Sequence, residues 1–237
     1  MVLRSAFADL LDAVLPARCP GCGRSGAVVC RSCAARLVAA PAAPPPAPVA
    51  WWAACFAYEG VARELVARAK YRNERRFLVV IAREVARAVD RAPSRIDLVT
   101  WAPASAQRVR AYGVDHGELL ARAVAGCLDV RVRPCLTRTA GPAQTGLDAH
   151  TRRLGPPLRA ITSVAGRTVL VVDDVATTGG TLSAAARALH TRDAAAVFAA
   201  TIARTPRPGA GRAGATYTPA TPTGVQASAT FGHQGLR

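Results

Sequence analysis

The fold is decided by a stretch of thirteen residues, VLVVDDVATTGGT, at positions 169–181. Its first four residues are apolar and mostly β-branched, which predicts a buried strand of a parallel sheet over Thr168–Val172. Small residues and hydroxyls follow, and then an alanine-rich helix over Leu182–His190, for which Thr181 is the expected N-cap. This strand–loop–helix order predicts that a ligand binds at the carboxyl end of the strand.

Two adjacent carboxylates, Asp173 and Asp174, come directly before the loop. The backbone N–H groups of the loop can point inward and hold a phosphate, which the N-terminus of the following helix also favours. Carboxylates would repel that phosphate unless they face another part of the same ligand, and the 2′- and 3′-hydroxyls of a ribose suit them. The alternative is a strand-to-helix turn with solvated acids. A P-loop is excluded because Gly180 rather than lysine follows Gly179, and a Rossmann fingerprint is excluded because the acids precede the glycines.

Strands and helices alternate between residues 51 and 204, which predicts an α/β fold with a parallel, doubly wound sheet. We expect strands at Trp51–Tyr58, Ile96–Trp101, Arg131–Leu136, Thr168–Val172 and Ala195–Ile202, helices at Ala62–Lys70, Phe77–Val89, Asp115–Gly126 and Leu182–His190, and a loop at Ala102–Gln107.

Composition divides the chain into four parts. Residues 1–40 contain a short amphipathic helix and a group of cysteines, and residues 41–50 form a stiff Pro/Ala linker that begins PAAPPPAP. Residues 51–204 form the α/β domain, and residues 205–237, which contain no acid, are expected to be a disordered basic tail. There is no apolar run of about 18 residues, and Asp9 and Asp12 interrupt the N-terminal apolar stretch. We therefore expect no membrane span and a cytoplasmic protein.

Two C-x-x-C pairs, Cys19 with Cys22 and Cys30 with Cys33, are separated by seven residues. Thiolates at this spacing converge on one cation, and two such turns close the tetrahedral all-sulfur shell of a structural zinc site. Two local disulfides or a redox site are the alternative, and a cytosolic setting favours zinc. The other three of the seven cysteines are scattered in apolar surroundings, which is typical of core residues.

The formal net charge is +16, from 31 lysines and arginines against 15 acids, and Lys70 is the single lysine. GC-rich coding accounts for the preference for arginine over lysine, but not for the excess of cations over acids. A charge this far from zero attracts polyanions, either nucleic acid or a phosphate-rich substrate.

Residues 169–181 resemble the signature with which type I phosphoribosyltransferases bind 5-phosphoribosyl 1-pyrophosphate (PRPP). This resemblance implies that Asp173 and Asp174 bind the ribose and that Mg²⁺ bridges the pyrophosphate and the ribose. It also implies a phosphate loop for the 5′-phosphate, formed by Val175, Ala176, Thr177, Thr178, Gly179, Gly180 and Thr181.

Further segments over residues ~7–203 resemble the ComF family, in which a zinc-binding unit precedes this transferase fold. The segments are the double cysteine pair, Tyr58-Glu59-Gly60 with Lys70-Tyr71, Val99–Pro103 with Arg108, Arg110 and Gly113, and Gln144–Leu147 with Arg152 and Arg153. The resemblance implies that the loop after the strand ending at Trp101 binds pyrophosphate. The candidates for pyrophosphate or nucleic-acid contacts are Arg108, Arg110, Gln144, Arg152 and Arg153.

The ComF resemblance implies PRPP binding, handling of single-stranded DNA in natural transformation, and partners among competence and helicase proteins. Two other functions stay open: an active phosphoribosyltransferase with a nucleobase-like acceptor, and a PRPP-sensing regulator that binds nucleic acid. The chain departs from the family at Tyr112–His116, where Arg-Gly-Phe-Asn-Gln is usual, and at Gly155, where asparagine is common. Both departures lie outside the phosphate loop, so ligand binding is better supported than turnover.

Overall fold

The computed structural model describes residues 18–72, 75–139 and 155–206. The expected N-terminal helix, Gln144, Arg152, Arg153 and nearly all of the expected basic tail lie outside these ranges. The helices are α1 (Arg31–Ala34), α2 (Gly60–Arg72), α3 (Arg75–Val89), α4 (Ala106–Tyr112), α5 (His116–Leu128) and α6 (Gly180–His190). The strands are β1 (Trp51–Ala57), β2 (Leu98–Trp101), β3 (Leu136–Arg138), β4 (Leu158–Ala160), β5 (Thr168–Ala176) and β6 (Ala196–Arg204).

Four of the strands form a parallel sheet in the order β1-β6-β5-β2. The centre of β5 and all four residues of β2 are buried, as expected for strands that are covered on both faces. The other two strands, β3 and β4, form a separate antiparallel ribbon. The predicted α/β architecture with a parallel sheet is confirmed.

Helices cover both faces of this sheet because successive side chains of a strand point to opposite sides. Leu170 and Val172 of β5 belong to a hydrophobic cluster with α3 and α5, whereas Val169 and Val171 belong to a second cluster with α6. Buried alanines line α6, and their small side chains let this helix lie close to the sheet. In the described part of the chain, no helix is both long and apolar enough to cross a membrane.

Most elements lie within two residues of their expected bounds, but the expected strand Arg131–Leu136 is wrong. Val132 makes only an isolated parallel bridge to Val99, and β3 begins at Leu136. Pro134 lies between these two segments, and a proline has no N–H with which to continue a ladder.

Helix α4 replaces the end of the expected loop Ala102–Gln107. It contains no buried residue, so it carries no apolar periodicity from which it could have been predicted. Local signals define it instead: the Ser105 side chain accepts the N–H of Arg108, and Gly113 ends the helix with a φ of 74°.

Candidate functional site

The cysteines of the two C-x-x-C pairs form one group, called here the four-cysteine cluster (Cys19, Cys22, Cys30, Cys33). Their Sγ atoms all lie within 4.8 Å of one another, and those of Cys22 and Cys30 are 3.6 Å apart. A tetrahedral zinc with Zn–S bonds of about 2.3 Å would hold its sulfurs about 3.8 Å apart. The donor set and its spacing therefore fit a structural zinc ion.

Backbone hydrogen bonds fold the first pair into a tight turn. The N–H of Gly23 donates to the carbonyl of Cys19 at 2.7 Å, and the N–H of Cys30 donates to Cys19 Sγ at 3.4 Å. Hydrogen bonding with Ser32 lowers the pKa of the Cys30 thiol to about 6, whereas burial raises the pKa of Cys33. All seven cysteines are outside disulfides.

The four-cysteine cluster is continuous with the core of the α/β domain. Cys19 and Cys33 are buried in the same hydrophobic cluster as Phe56 and Val61. A Cβ on Gly21 would lie 2.8 Å from Cys33 Sγ and 3.3 Å from Val61 Cγ1, so this turn requires a glycine to reach the start of α2. The candidate metal centre and the sheet therefore share one core.

The acid pair lies within the last four residues of β5, because this strand continues four residues beyond its expected end to Ala176. Asp173 and Asp174 are half-buried. Oδ1 of Asp173 accepts the N–H of Asp174 at 2.8 Å, and Oδ1 of Asp174 accepts the N–H of Val175 at 2.6 Å. Consecutive strand residues point to opposite sides, so the two carboxylates flank the end of β5.

The phosphate loop enters α6 two residues earlier than expected. Gly179, with a φ of 80°, is the N-cap of α6, so the expectation that Thr181 would be the cap is wrong. The Thr178 hydroxyl instead accepts the N–H of Gly180 at 3.3 Å. A glycine is needed at this left-handed position, and it brings the first amides of α6 to the end of β5.

Gly155 packs directly against this helix start. A Cβ on Gly155 would lie 2.1 Å from the Gly180 carbonyl oxygen and 3.1 Å from Ala184 Cβ, and its φ is 75°. No side chain fits that approach without a shift of the backbone. The glycine that replaces the usual asparagine of the resembled family thus allows close backbone contact with the phosphate loop.

The loop after β2 is held in place by Asp115. Its Oδ2 accepts the N–H of Ala104 at 2.9 Å, and its Oδ1 accepts the N–H of Gly117 at 2.9 Å while capping α5. One carboxylate thus fixes both the loop expected to bind pyrophosphate and the helix that follows it. The usual residue at this position of the resembled family is asparagine.

Arg138, the last residue of β3, is the functional candidate that sequence reasoning missed. Its Nε is buried and has no hydrogen-bond partner among the described residues. Burial lowers the pKa of the Arg138 guanidinium, as does nearby Arg108, while Asp173 and Asp115 act in the opposite direction. Arg138 therefore lies between the acid end of β5 and the loop after β2. In the sequence it is one arginine among many, and no local motif marks it.

The structure brings most of the expected site residues to one edge of the sheet. The carboxyl edge, defined here as Asp173, Asp174, the phosphate loop, the loop after β2 and Arg138, is where all four parallel strands end. Arg108 and Arg110 are exposed on α4, and Arg108 is close enough to act on Arg138.

Comparison with known proteins supports this picture at the level of the domain. A family model described as the phosphoribosyl transferase domain matches residues 115–215. The match covers less than half of the chain and includes the acid pair, the phosphate loop and Arg138. No curated protein matches the chain.

Three solved structures illustrate the likeness of fold. The glutamine PRPP amidotransferase from B. subtilis aligns at 19% identity and a TM-score of 0.36, over 52% of this chain and 25% of that one. Adenine phosphoribosyltransferase from Thermoanaerobacter pseudethanolicus aligns at 18% and 0.38, over 56% and 83%. A hypothetical protein from Neisseria gonorrhoeae with bound ppGpp aligns at 13% and 0.38, over 56% and 69%. The chain thus spans about a quarter of the length of the amidotransferase.

The observed sheet and the family match together define the class of protein. It is an α/β protein with a phosphoribosyltransferase-type fold, and a cluster of four cysteines precedes its sheet.

Proposed function

We propose that this protein binds PRPP, or a closely related phosphoribosyl ligand, together with Mg²⁺ at the carboxyl edge, and that it is a ComF-like protein. The observation that supports this most strongly is the set of groups gathered there. Asp173 and Asp174 offer acceptors for ribose hydroxyls, the start of α6 offers amides for a 5′-phosphate, and Arg138 offers a cation.

Arg138 is suited to the pyrophosphate end of such a ligand. A half-buried guanidinium is destabilised by its loss of water, which the lowered pKa reflects. An anion at this position would restore charge-assisted hydrogen bonds. Asp173 lies close enough to act on Arg138 and directly precedes the strand end that leads into the phosphate loop. The ribose would therefore bind between the two phosphate-binding regions.

Mg²⁺ fits the same site because it prefers oxygen ligands and binds through one or two carboxylates together with substrate phosphates. Asp173 and Asp174 are the residues that would hold it, either directly or through water. When bound, Mg²⁺ supplies positive charge that neutralises the pyrophosphate. We also propose zinc in the four-cysteine cluster, as a structural ion.

A working transferase is the enzymatic form of this proposal. A nitrogen nucleophile would form a bond to C1′ while the bond to the pyrophosphate oxygen breaks, and the pyrophosphate leaves with the electron pair. Arg138 and the N–H groups of the loop after β2 would stabilise the charge that develops on the leaving group.

Pyrophosphate release tests whether there is turnover. The purified protein is incubated with Mg·PRPP and each member of a panel of nucleobases, beside Asp173→Asn as the site control. Release that requires one nucleobase and is lost in Asp173→Asn establishes a transferase. Binding of PRPP without release with any nucleobase contradicts the enzymatic form and retains the ligand.

Single-stranded DNA is the second candidate ligand, and the exposed arginines of α4 favour it. Arg108 and Arg110 are exposed next to the carboxyl edge, and the chain carries a net charge of +16. DNA bound there would link the protein to DNA uptake and to competence or helicase proteins, or to PRPP-sensing regulation. Its free cysteines suit the cytoplasm, which we propose as its location.

A further inference from the structure

The proline-rich segment between the four-cysteine cluster and β1 lies against the sheet along much of its length. We call residues 38–49 the strap. At its start, the N–H of Ala57 donates to the carbonyl of Val38 at 2.9 Å, and the N–H of Ala40 donates to the carbonyl of Cys55 at 3.0 Å. The strap thus begins as a short antiparallel edge on β1, directly after the buried Leu37, which packs in the same hydrophobic cluster as two of the four cysteines.

A buried arginine holds the middle of the strap. Nη2 of Arg204 donates to the carbonyl of Pro41 at 2.7 Å, and the guanidinium lies 5.6 Å from the ring centroid of Trp52. Arg204 is 6% exposed and is the last residue of β6. The strap is therefore tied by a charge-assisted hydrogen bond to the edge of the sheet where the phosphate loop begins.

The strap then touches the phosphate loop itself. A Cβ on Gly179 would lie 2.7 Å from Cβ and 2.9 Å from Cγ of Pro46, so the Pro46 ring rests on the Gly179 backbone. The end of the strap is fixed as well, because Val49 is buried in the cluster with α6 and its N–H donates to the carbonyl of Pro46 at 2.9 Å. A proline ring has few conformations, so it makes a stiff contact.

We propose that the strap is a positioning element that connects the four-cysteine cluster to the phosphate loop, with Pro46 holding Gly179 and thereby the first amides of α6. The part of this inference that concerns ligand affinity rests on the proposed function. The part that concerns the order of the loop does not. Metal bound to the four-cysteine cluster would stabilise the start of the strap, and the contact of Pro46 with Gly179 would pass that stability to the loop.

Pro45 supplies the matched control, since it is exposed whereas its neighbour Pro46 is partly buried. Pro46→Ala and Pro45→Ala remove the same ring and gain the same N–H, but only the first removes the contact with Gly179. Hydrogen exchange on the ligand-free protein is followed at Gly180–Ser183, where the amides of Gly180 and Ser183 donate to Thr178 Oγ1 and to the Gly179 carbonyl. Exchange there should be faster in Pro46→Ala than in Pro45→Ala.

Affinity separates positioning of the loop from a general loss of stability. Ribose 5-phosphate engages the phosphate loop, whereas inorganic pyrophosphate does not require it. We expect Pro46→Ala to weaken ribose 5-phosphate about fivefold or more and to leave pyrophosphate unchanged. Cys22→Ser, which alters an exposed member of the four-cysteine cluster, should speed exchange at Val38–Ala40 and at Gly180–Ser183 together.

Equal exchange at Gly180–Ser183 in Pro46→Ala and Pro45→Ala would overturn the inference. Tighter binding of ribose 5-phosphate by Pro46→Ala would also overturn it, because the strap would then cover the loop and compete with the ligand. If the wild-type protein binds no ribose 5-phosphate but the exchange difference is present, the strap is supported and the proposed ligand fails.

Discussion

The four-cysteine cluster and the carboxyl edge are both built from turns, but they use the core differently. Two of the four cysteines are buried in the hydrophobic cluster beneath the sheet. The acids, the threonines of the phosphate loop and Arg108 are half-buried or exposed at the end of that sheet. Removing a cysteine should therefore damage the fold, whereas changing the edge should alter binding and leave the fold intact.

The largest expected effect is that of Cys33→Ser. The variant should lose its zinc and more than about 4 kcal/mol of stability, because a structural metal supplies folding free energy and Cys33 also packs in the core. Metal analysis and urea unfolding measure the two losses. The control is Cys127→Ser, which changes an exposed cysteine outside the cluster and should cost less than about 0.5 kcal/mol. A Cys33→Ser protein with one zinc and an unchanged midpoint would remove the metal site from the account.

A smaller effect is expected at the edge, from Arg138→Met. Pyrophosphate affinity should fall by about 1.5–3 kcal/mol, since a hydrogen-bonded charge is lost. Stability should stay equal or rise, because the variant removes a buried cation whose Nε has no partner among the described residues. Titration calorimetry with magnesium pyrophosphate measures the affinity, and Arg159→Met on the paired strand β4 is the exposed control. Equal affinity in the two variants would place the pyrophosphate elsewhere.

The different construction of the two sites also explains what the sequence could predict. The four cysteines fall within fifteen residues, so their spacing alone indicates a shared cation. The phosphate loop and the acids are equally local, and the structure places them at one strand end. Arg138 reaches the same edge from a strand whose start was assigned wrongly, because Pro134 interrupts the expected pairing.

Long-range contacts were also beyond prediction from local patterns. The contact between Pro46 and Gly179 joins segments more than a hundred residues apart, and no periodicity marks it. Composition correctly identified a stiff proline-rich segment, but its attachment to β1 and to Arg204 depends on the folded sheet. Helix α4, whose residues are all outside the core, could have been found only from its caps, Ser105 and Gly113.

Asp115→Asn should have a smaller effect, and in two directions. An amide has one oxygen, so it cannot accept from both Ala104 and Gly117 on separate oxygens as the carboxylate does. Stability should fall by about 1 kcal/mol, and pyrophosphate should bind more tightly because a negative charge near Arg138 is removed. Urea unfolding and calorimetry measure the two effects. Asp129→Asn, an exposed left-handed C-cap that asparagine tolerates, is the control. Weaker pyrophosphate binding by Asp115→Asn would show that holding the loop outweighs the charge.

The smallest effect concerns single-stranded DNA. Each phosphate contact on a single strand contributes about −0.7 to the slope of log K against log salt, so Arg110→Ala should flatten the slope by about 0.7. Arg192→Ala is the control, since this exposed residue follows the far end of α6. Both are compared in full-length protein and in a truncation at Thr205. If the truncation alone abolishes binding, the tail rather than α4 carries the DNA.

Binding of Mg·PRPP by calorimetry tests the central claim most directly. The zinc-loaded wild-type protein should bind one PRPP per chain in a magnesium-dependent manner. Asp173→Asn and Asp174→Asn should each weaken it by about 1.5–3 kcal/mol, or roughly 10- to 150-fold, with no change in stability. A folded wild-type protein that binds no PRPP, or variants that bind it as well as wild type does, would contradict the assignment of the carboxyl edge as a phosphoribosyl site.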